Sequence, residues 1–200
     1  MRVLVVLVTT ALLAGAFASA SSASTPDTKT MVLKLSDLPA GFVLDKGYYA
    51  DNARAAKESQ TALGDYTRWG RITGYEADFS REALTGILKV TSASSTYKTA
   101  KGAADSTRDS YAQTTKTHRF NGQPVAFKQV STGAKIGHEA RMYSTSLKAN
   151  GFNFTFYAIL WRYGTVKASV LVGGLRGTVD AAAAVKMAKK QQTRIMQALR

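Results

Sequence analysis

Few residues in this chain are equipped for chemistry. It has two histidines, His118 and His138, and no cysteine. The missing thiol excludes thiolate zinc sites, iron–sulfur clusters, cysteine nucleophiles and a lipid anchor on a cleavage-site cysteine. Ser95-Thr96-Tyr97-Lys98 has the Ser-x-x-Lys spacing in which a lysine can activate a serine. The supporting Ser-Asp-Asn and Lys-Thr-Gly elements are missing, however, as is a Gly-x-Ser-x-Gly elbow. His138 and Glu139 stand side by side, but adjacent side chains of a strand leave on opposite faces and do not serve one atom. No His-x-His, His-x-x-x-His or EF-hand spacing supplies metal ligands. Gly173-Gly174-Leu175-Arg176-Gly177 precedes a predicted helix, yet lacks the Lys-Ser/Thr of a phosphate loop. The sequence therefore assigns no catalytic, metal-binding or cofactor-binding residue, and an enzyme is not expected.

Charge is the stronger signal. The formal net charge is +14, from 27 basic and 13 acidic residues, and such a field attracts polyanions. Lys98 and Lys101 on one predicted helix, and Lys186, Lys189, Lys190 and Arg194 on another, are the anion-binding candidates. Their expected partner is anionic envelope material: wall polymer, polysaccharide or lipid head groups. No motif for sequence-specific nucleic-acid binding accompanies them. The aromatic residues suggest a second site. Tyr143 on one strand and Tyr157 and Trp161 on the next are placed on the sheet face opposite Phe152, Phe154 and Phe156. There they are candidates to line a pocket for a small hydrophobic or sugar ligand.

These residues must be carried by an α+β framework. Residues 71–79 and 84–91 read as two strands, the first with Tyr75, Ala77 and Phe79 on one face. Helical spacing follows over 95–115, and short helices are expected around 31–38 and over 51–62, the latter capped by Asp51 or Asn52. Strands over 139–147, 152–162 and 165–172 form an antiparallel meander joined at Asn150-Gly151 and Tyr163-Gly164, with Val166, Ala168, Val170 and Val172 continuing the Phe face. Gly173-Gly174 is expected to end the last strand. A long helix over 178–199, capped by Thr178, closes the domain with Ala181, Val185, Ala188, Ile195 and Leu199 as its apolar stripe. The expected fold is one antiparallel sheet with the helices packed on one face.

The organisation expected along the chain is a signal peptide over 1–20, a disordered spacer over 21–30 and a single domain over 31–200. Arg2 supplies the positive start, 3–17 the apolar stretch, and Ala16-Phe17-Ala18 or Ala18-Ser19-Ala20 the cleavage site. The mature protein is expected outside the cytoplasmic membrane and without a transmembrane segment.

Asp37-Leu38-Pro39-Ala40-Gly41-Phe42, Trp69-Gly70-Arg71-Ile72-Thr73-Gly74-Tyr75, Gly137-His138-Glu139-Ala140 and Trp161-Arg162-Tyr163-Gly164 resemble a group of exported proteins of high-GC soil bacteria. That group has no established activity, so the resemblance implies an address and no catalytic residues. The element order is loosely similar to PsbP-like domains and to extracellular sensor domains of mycobacterial kinases. The leading expectation is a secreted, non-enzymatic binding or accessory protein of the cell envelope. The alternatives are a carrier with its pocket between sheet and helices, and a hydrolase.

Overall fold

A computed structural model describes residues 26–59, 61–116, 118–120 and 123–200. The expected signal peptide, and residues 21–25 of the expected spacer, lie outside them. A seven-stranded antiparallel sheet dominates, in the order β1-β2-β3-β9-β8-β7-β6. Its strands are β1 (Val43–Ala50), β2 (Arg71–Ser80), β3 (Ile87–Tyr97), β6 (Lys128–Val130), β7 (His138–Ala149), β8 (Phe152–Tyr163) and β9 (Val166–Leu175). Two short strands, β4 (His118–Phe120) and β5 (Gln123–Val125), pair separately. The helices are α1 (Asn52–Ser59), α2 (Leu63–Arg68), α3 (Ala100–Thr114) and α4 (Ala181–Ala198). The α+β class, the meander and the long C-terminal helix are as the sequence predicts.

Strand pleating explains the core. Val166, Ala168, Val170 and Val172 are fully buried, and the register sets them opposite Tyr163, Trp161, Ile159 and Tyr157 of β8. Directly opposed residues share a face. The valine row therefore continues the Tyr/Trp face, not the Phe face expected from the sequence. Ala184, Met187, Ala188 and Ile195 of α4 close over it, together with Met31 and Leu33. Two residues of the expected spacer also belong here. Asp27 caps a 3-10 turn over Thr28–Met31, and Thr28 is buried, so the ordered domain begins before Met31.

The other face carries α1, α2 and α3, so helices cover both faces where one was expected. Strand β8 is apolar enough on both sides to require it: Leu160 packs with Tyr111 and Tyr143, while its neighbours Ile159 and Trp161 face α4. Tyr66, Trp69, Tyr97 and Ala103 form a third cluster that ties α2 and α3 to the end of β3.

Several boundaries move for local reasons. Strand β3 runs through Tyr97, and Thr99 caps α3 by accepting from the Gly102 amide. Asp180, not Thr178, caps α4 through the Ala183 amide. Gly173 and Gly174 lie inside β9 and do not break it; a side chain at Gly173 would occupy the Phe156 ring, its cross-strand partner. Asn150 and Gly151 both take positive φ, 50° and 82°, as the hairpin turn requires.

Candidate functional site

On the face beneath α1, α2 and α3 the sheet floors an open cleft of about 260 Å³ with charged and hydroxyl groups among its lining. Its floor is laid by two successive rungs of the central strands. One rung sets Gly74 opposite Ser95 and Ser95 opposite Lys167; the next sets Glu76 opposite Ala93 and Ala93 opposite Ser169. Small residues in the middle of each rung leave the space that a continuous apolar face would fill.

Lys167 follows Val166 and precedes Ala168, both core residues, so pleating turns it away from the core and into the cleft. Its Nζ donates to Ser110 Oγ at 2.5 Å and Ser106 Oγ at 3.3 Å, both on α3. Part of the side chain stays open to the cleft, but the ammonium is beneath the helix. Burial, aided by repulsion from Arg71 and opposed by Asp109, pulls its pKa down to about 8.

Arg71 is buried at the start of β2. Its Nε donates to Ser95 Oγ at 3.2 Å, and its Nη1 donates to the Ala50 carbonyl at 2.9 Å and Asn52 Oδ1 at 3.1 Å. Gly74 makes room for it, because a Cβ there would collide with Nη2. Burial lowers its pKa, against the pull of Tyr97, Tyr66 and the more distant Asp51. Among the described residues, no carboxylate lies within ion-pair distance of either cation, whereas eight other pairs do form. Two neighbouring buried cations without a bonded counter-ion are costly to the folded state.

Glu76 lines the same cleft from the second rung. It accepts from the Tyr48 hydroxyl at 2.8 Å and has no cation within ion-pair distance among the described residues. Burial raises its pKa, and nearby Asp78 and Glu58 add to the rise. Glu58 also lines the cleft but is neutralised by Arg54 at 2.8 Å. Tyr97 is held by Ser106 at 2.7 Å, and burial pushes its hydroxyl up to about 12. The arrangement is thus a small cavity with a cationic end, a carboxylate at the other end and hydroxyls between.

The residues singled out by sequence are placed differently. Tyr143 and Trp161 are both fully buried but on opposite faces, since Tyr143 pairs with Ala158 and so joins the α3 side. Trp161 faces α4, where its Nε1 donates to Gln192 at 2.7 Å, and Tyr157 is only half-buried beside the same core. These three do not form a pocket. The basic candidates are divided as well. Lys98 and Lys101 belong to the α3 side and the other four to α4 on the opposite face. Lys98 is exposed and Lys101 pairs with Asp105 at 2.6 Å. Arg194 pairs with Asp37 at 2.5 Å and Lys190 donates to the Asp37 carbonyl. Lys186 and Lys189 remain exposed, beside the loop over 131–134.

His138 and Glu139 form no polar cluster with each other. His138 stacks on Tyr163 with ring centroids 5.8 Å apart, and Glu139, at φ 56°, pairs with Arg162 at 3.3 Å. The side chain of His118 lies outside the described residues. Ser95 of the Ser-x-x-Lys motif sits within β3 and accepts from Arg71, while Lys98 is past the strand end. Lys167, Arg71 and Glu76 were not found by sequence reasoning. The available signal was the alternation Val166, Ala168, Val170, Val172, which strands Lys167 on the reverse of a buried strand.

No family model and no curated protein matches the chain. Among solved structures, the fold is similar to that of the extracellular domain of PknH from Mycobacterium tuberculosis, with a TM-score of 0.57 at 12% identity. The similarity covers 84% of this chain and 98% of that domain. It establishes a shared fold. Among the described residues, no helix is long and apolar enough to cross a membrane, and no three metal-ligating side chains are grouped.

Proposed function

We propose that this chain is an exported, non-enzymatic binding protein that seats a small anionic ligand in the cleft between its sheet and α3. One observation carries the reading: Lys167 and Arg71 converge on one cavity, both desolvated, with no bonded carboxylate. A ligand carboxylate, phosphate or sulfate would supply the missing counter-charge, with the serine hydroxyls completing its hydrogen bonds. Export is supported by the charged start, apolar stretch and small-x-small site of residues 1–20, and by the fold shared with an extracellular domain. The carrier expected from the sequence thus returns with a different site: polar, and on the face opposite Trp161.

The test is a thermal-shift and calorimetric panel of small carboxylates, phosphate and sulfate on the mature protein. At least one anion should stabilise it saturably, and Lys167→Met should weaken that binding by about tenfold or more, which is the loss of about 1.4 kcal/mol. A panel in which no anion binds overturns the reading.

A second reading concerns the outer surface. Lys186 and Lys189 are exposed with no carboxylate in ion-pair distance among the described residues, so α4 is the part of the basic surface best placed to rest on anionic envelope polymer. Such attachment would weaken steeply between low and physiological salt, whereas ligand binding to the desolvated Arg71 and Lys167 would weaken less.

A further inference from the structure

The cleft has a polarity that a simple anion site would not need. Its cations occupy one rung: Lys167 stands on it directly, and the Arg71 guanidinium fills the space over Gly74 and bonds Ser95. Glu76 stands on the next rung of the same face, two residues along β2. Same-face rungs of a strand are about 7 Å apart. The carboxylate and the cations therefore face one cavity from neighbouring positions, yet no ion pair joins Glu76 to Arg71 or Lys167, and Glu76 takes its one hydrogen bond from the neutral Tyr48 hydroxyl. Ala93 and Ser169 hold the space between the charges open.

Resting on the anion-binding reading above, we infer that the ligand is a small zwitterion, a free amino acid or dipeptide, whose carboxylate meets Arg71 and Lys167 and whose ammonium meets Glu76. The two cations then share the ligand carboxylate, Glu76 gains the ammonium, and the ligand bridges the gap that separates them. An ammonium beside Glu76 also favours its ionised form, offsetting the burial that disfavours it in the empty cleft. The volume of about 260 Å³ admits a molecule of that size.

The experiment compares three probe series on the parent mature protein by calorimetry: proteinogenic amino acids with their simple dipeptides, the N-acetyl forms of the same molecules, and the corresponding amines without a carboxylate. The expected result is binding in the first series, about tenfold or greater weakening on N-acetylation, and no binding of the amines. Binding of N-acetyl forms as tight as that of the free amino acids would overturn the zwitterion while leaving the anion site standing. Absence of binding across all acids and anions would overturn both. Glu76→Gln, read alongside, should weaken the first series and leave the second unchanged; because the decisive comparison uses the parent protein, a variant that fails to fold does not blunt it.

Discussion

Arg194 Nε lies 2.5 Å from Asp37 Oδ2, and the pair fastens the C-terminal helix to a turn at the far end of the chain. The Asp37 carboxylate also accepts from the Lys34 amide at 2.8 Å, and Lys190 donates to its backbone carbonyl. Both side chains of the pair are mostly buried, 19% and 17% exposed, so little solvent screens them. Changing Lys186 and Lys189 together to Gln should alter stability by less than about 1 kcal/mol, because both are exposed. Changing Lys190 and Arg194 together to Gln should cost about 2–4 kcal/mol in urea unfolding, since it strands Asp37. Equal losses in the two double variants would mean that Asp37 is not an anchor.

Asp37 also predicts an acid limb. Burial alone would raise its pKa, but the Arg194 hydrogen bond and the Lys34 amide outweigh it and hold the carboxyl below 3.8. A carboxyl depressed in the folded state contributes stability above its unfolded pKa and loses it as pH falls through the folded one. Asp37→Asn should therefore lower stability at pH 7 and flatten the loss of stability below about pH 4 relative to the parent. Parallel curves for the two proteins would refute the linkage.

Lys167 predicts the opposite limb. Its pKa falls from 10.5 unfolded to about 8 folded, so between those values the unfolded chain binds more protons. Stability should accordingly rise with pH across that window, by up to about 3 kcal/mol. The buried tyrosines, Tyr97 among them, titrate later when folded and so work against stability above pH 10. The quantity to measure is thus the parent-minus-Lys167→Met difference in urea unfolding at pH 7.5, 9 and 10.5. A difference that does not change with pH would show the ammonium to be well solvated.

Gly102 sits where α3 meets the end of α2, and a Cβ there would run into the Trp69 backbone carbonyl. The carbonyl cannot yield without moving the cluster of Tyr66, Trp69, Tyr97 and Ala103. Gly102→Ala, a change that favours a helix by about 1 kcal/mol on propensity alone, should instead destabilise by about 2 kcal/mol or more. A gain in melting temperature would show that α3 docks more loosely than described.

The parts of this fold legible in the sequence are those whose signal is local. Asn150-Gly151 announces its hairpin because the turn needs positive φ, and the α4 stripe announces itself by period. Strand β1 carries no such signal: it lies at the sheet edge with Val43, Leu44 and Tyr49 exposed, so burial imposes no alternation on it. The face assignments of Tyr143 and the valine row failed for a related reason. Alternation fixes which residues of one strand share a side, but cross-strand register says which sides of two strands agree; here the hairpin turns set it, pairing Ala149 with Phe152 and Tyr163 with Val166, so Tyr143 falls opposite Ala158 and Ala168 opposite Trp161. The cleft depends on a pairing that is distant in sequence, that of β3 with β9. Arg71, Glu76 and Lys167 come from two strands separated by a third, and of the three only Lys167, flanked by Val166 and Ala168, carries a local mark.

Met31 and Leu33, near the start of the ordered domain, are buried in one cluster with Met187 and Ile195 near its end. The hydrophobic seal of that face is therefore made of segments from the two ends of the described domain. Until α4 docks, Val90 and Val170 have no lid, and until the Met31 segment folds back, α4 has no complete seat. Closure of this face therefore waits on bringing together two segments far apart in sequence, which makes it a late step in folding.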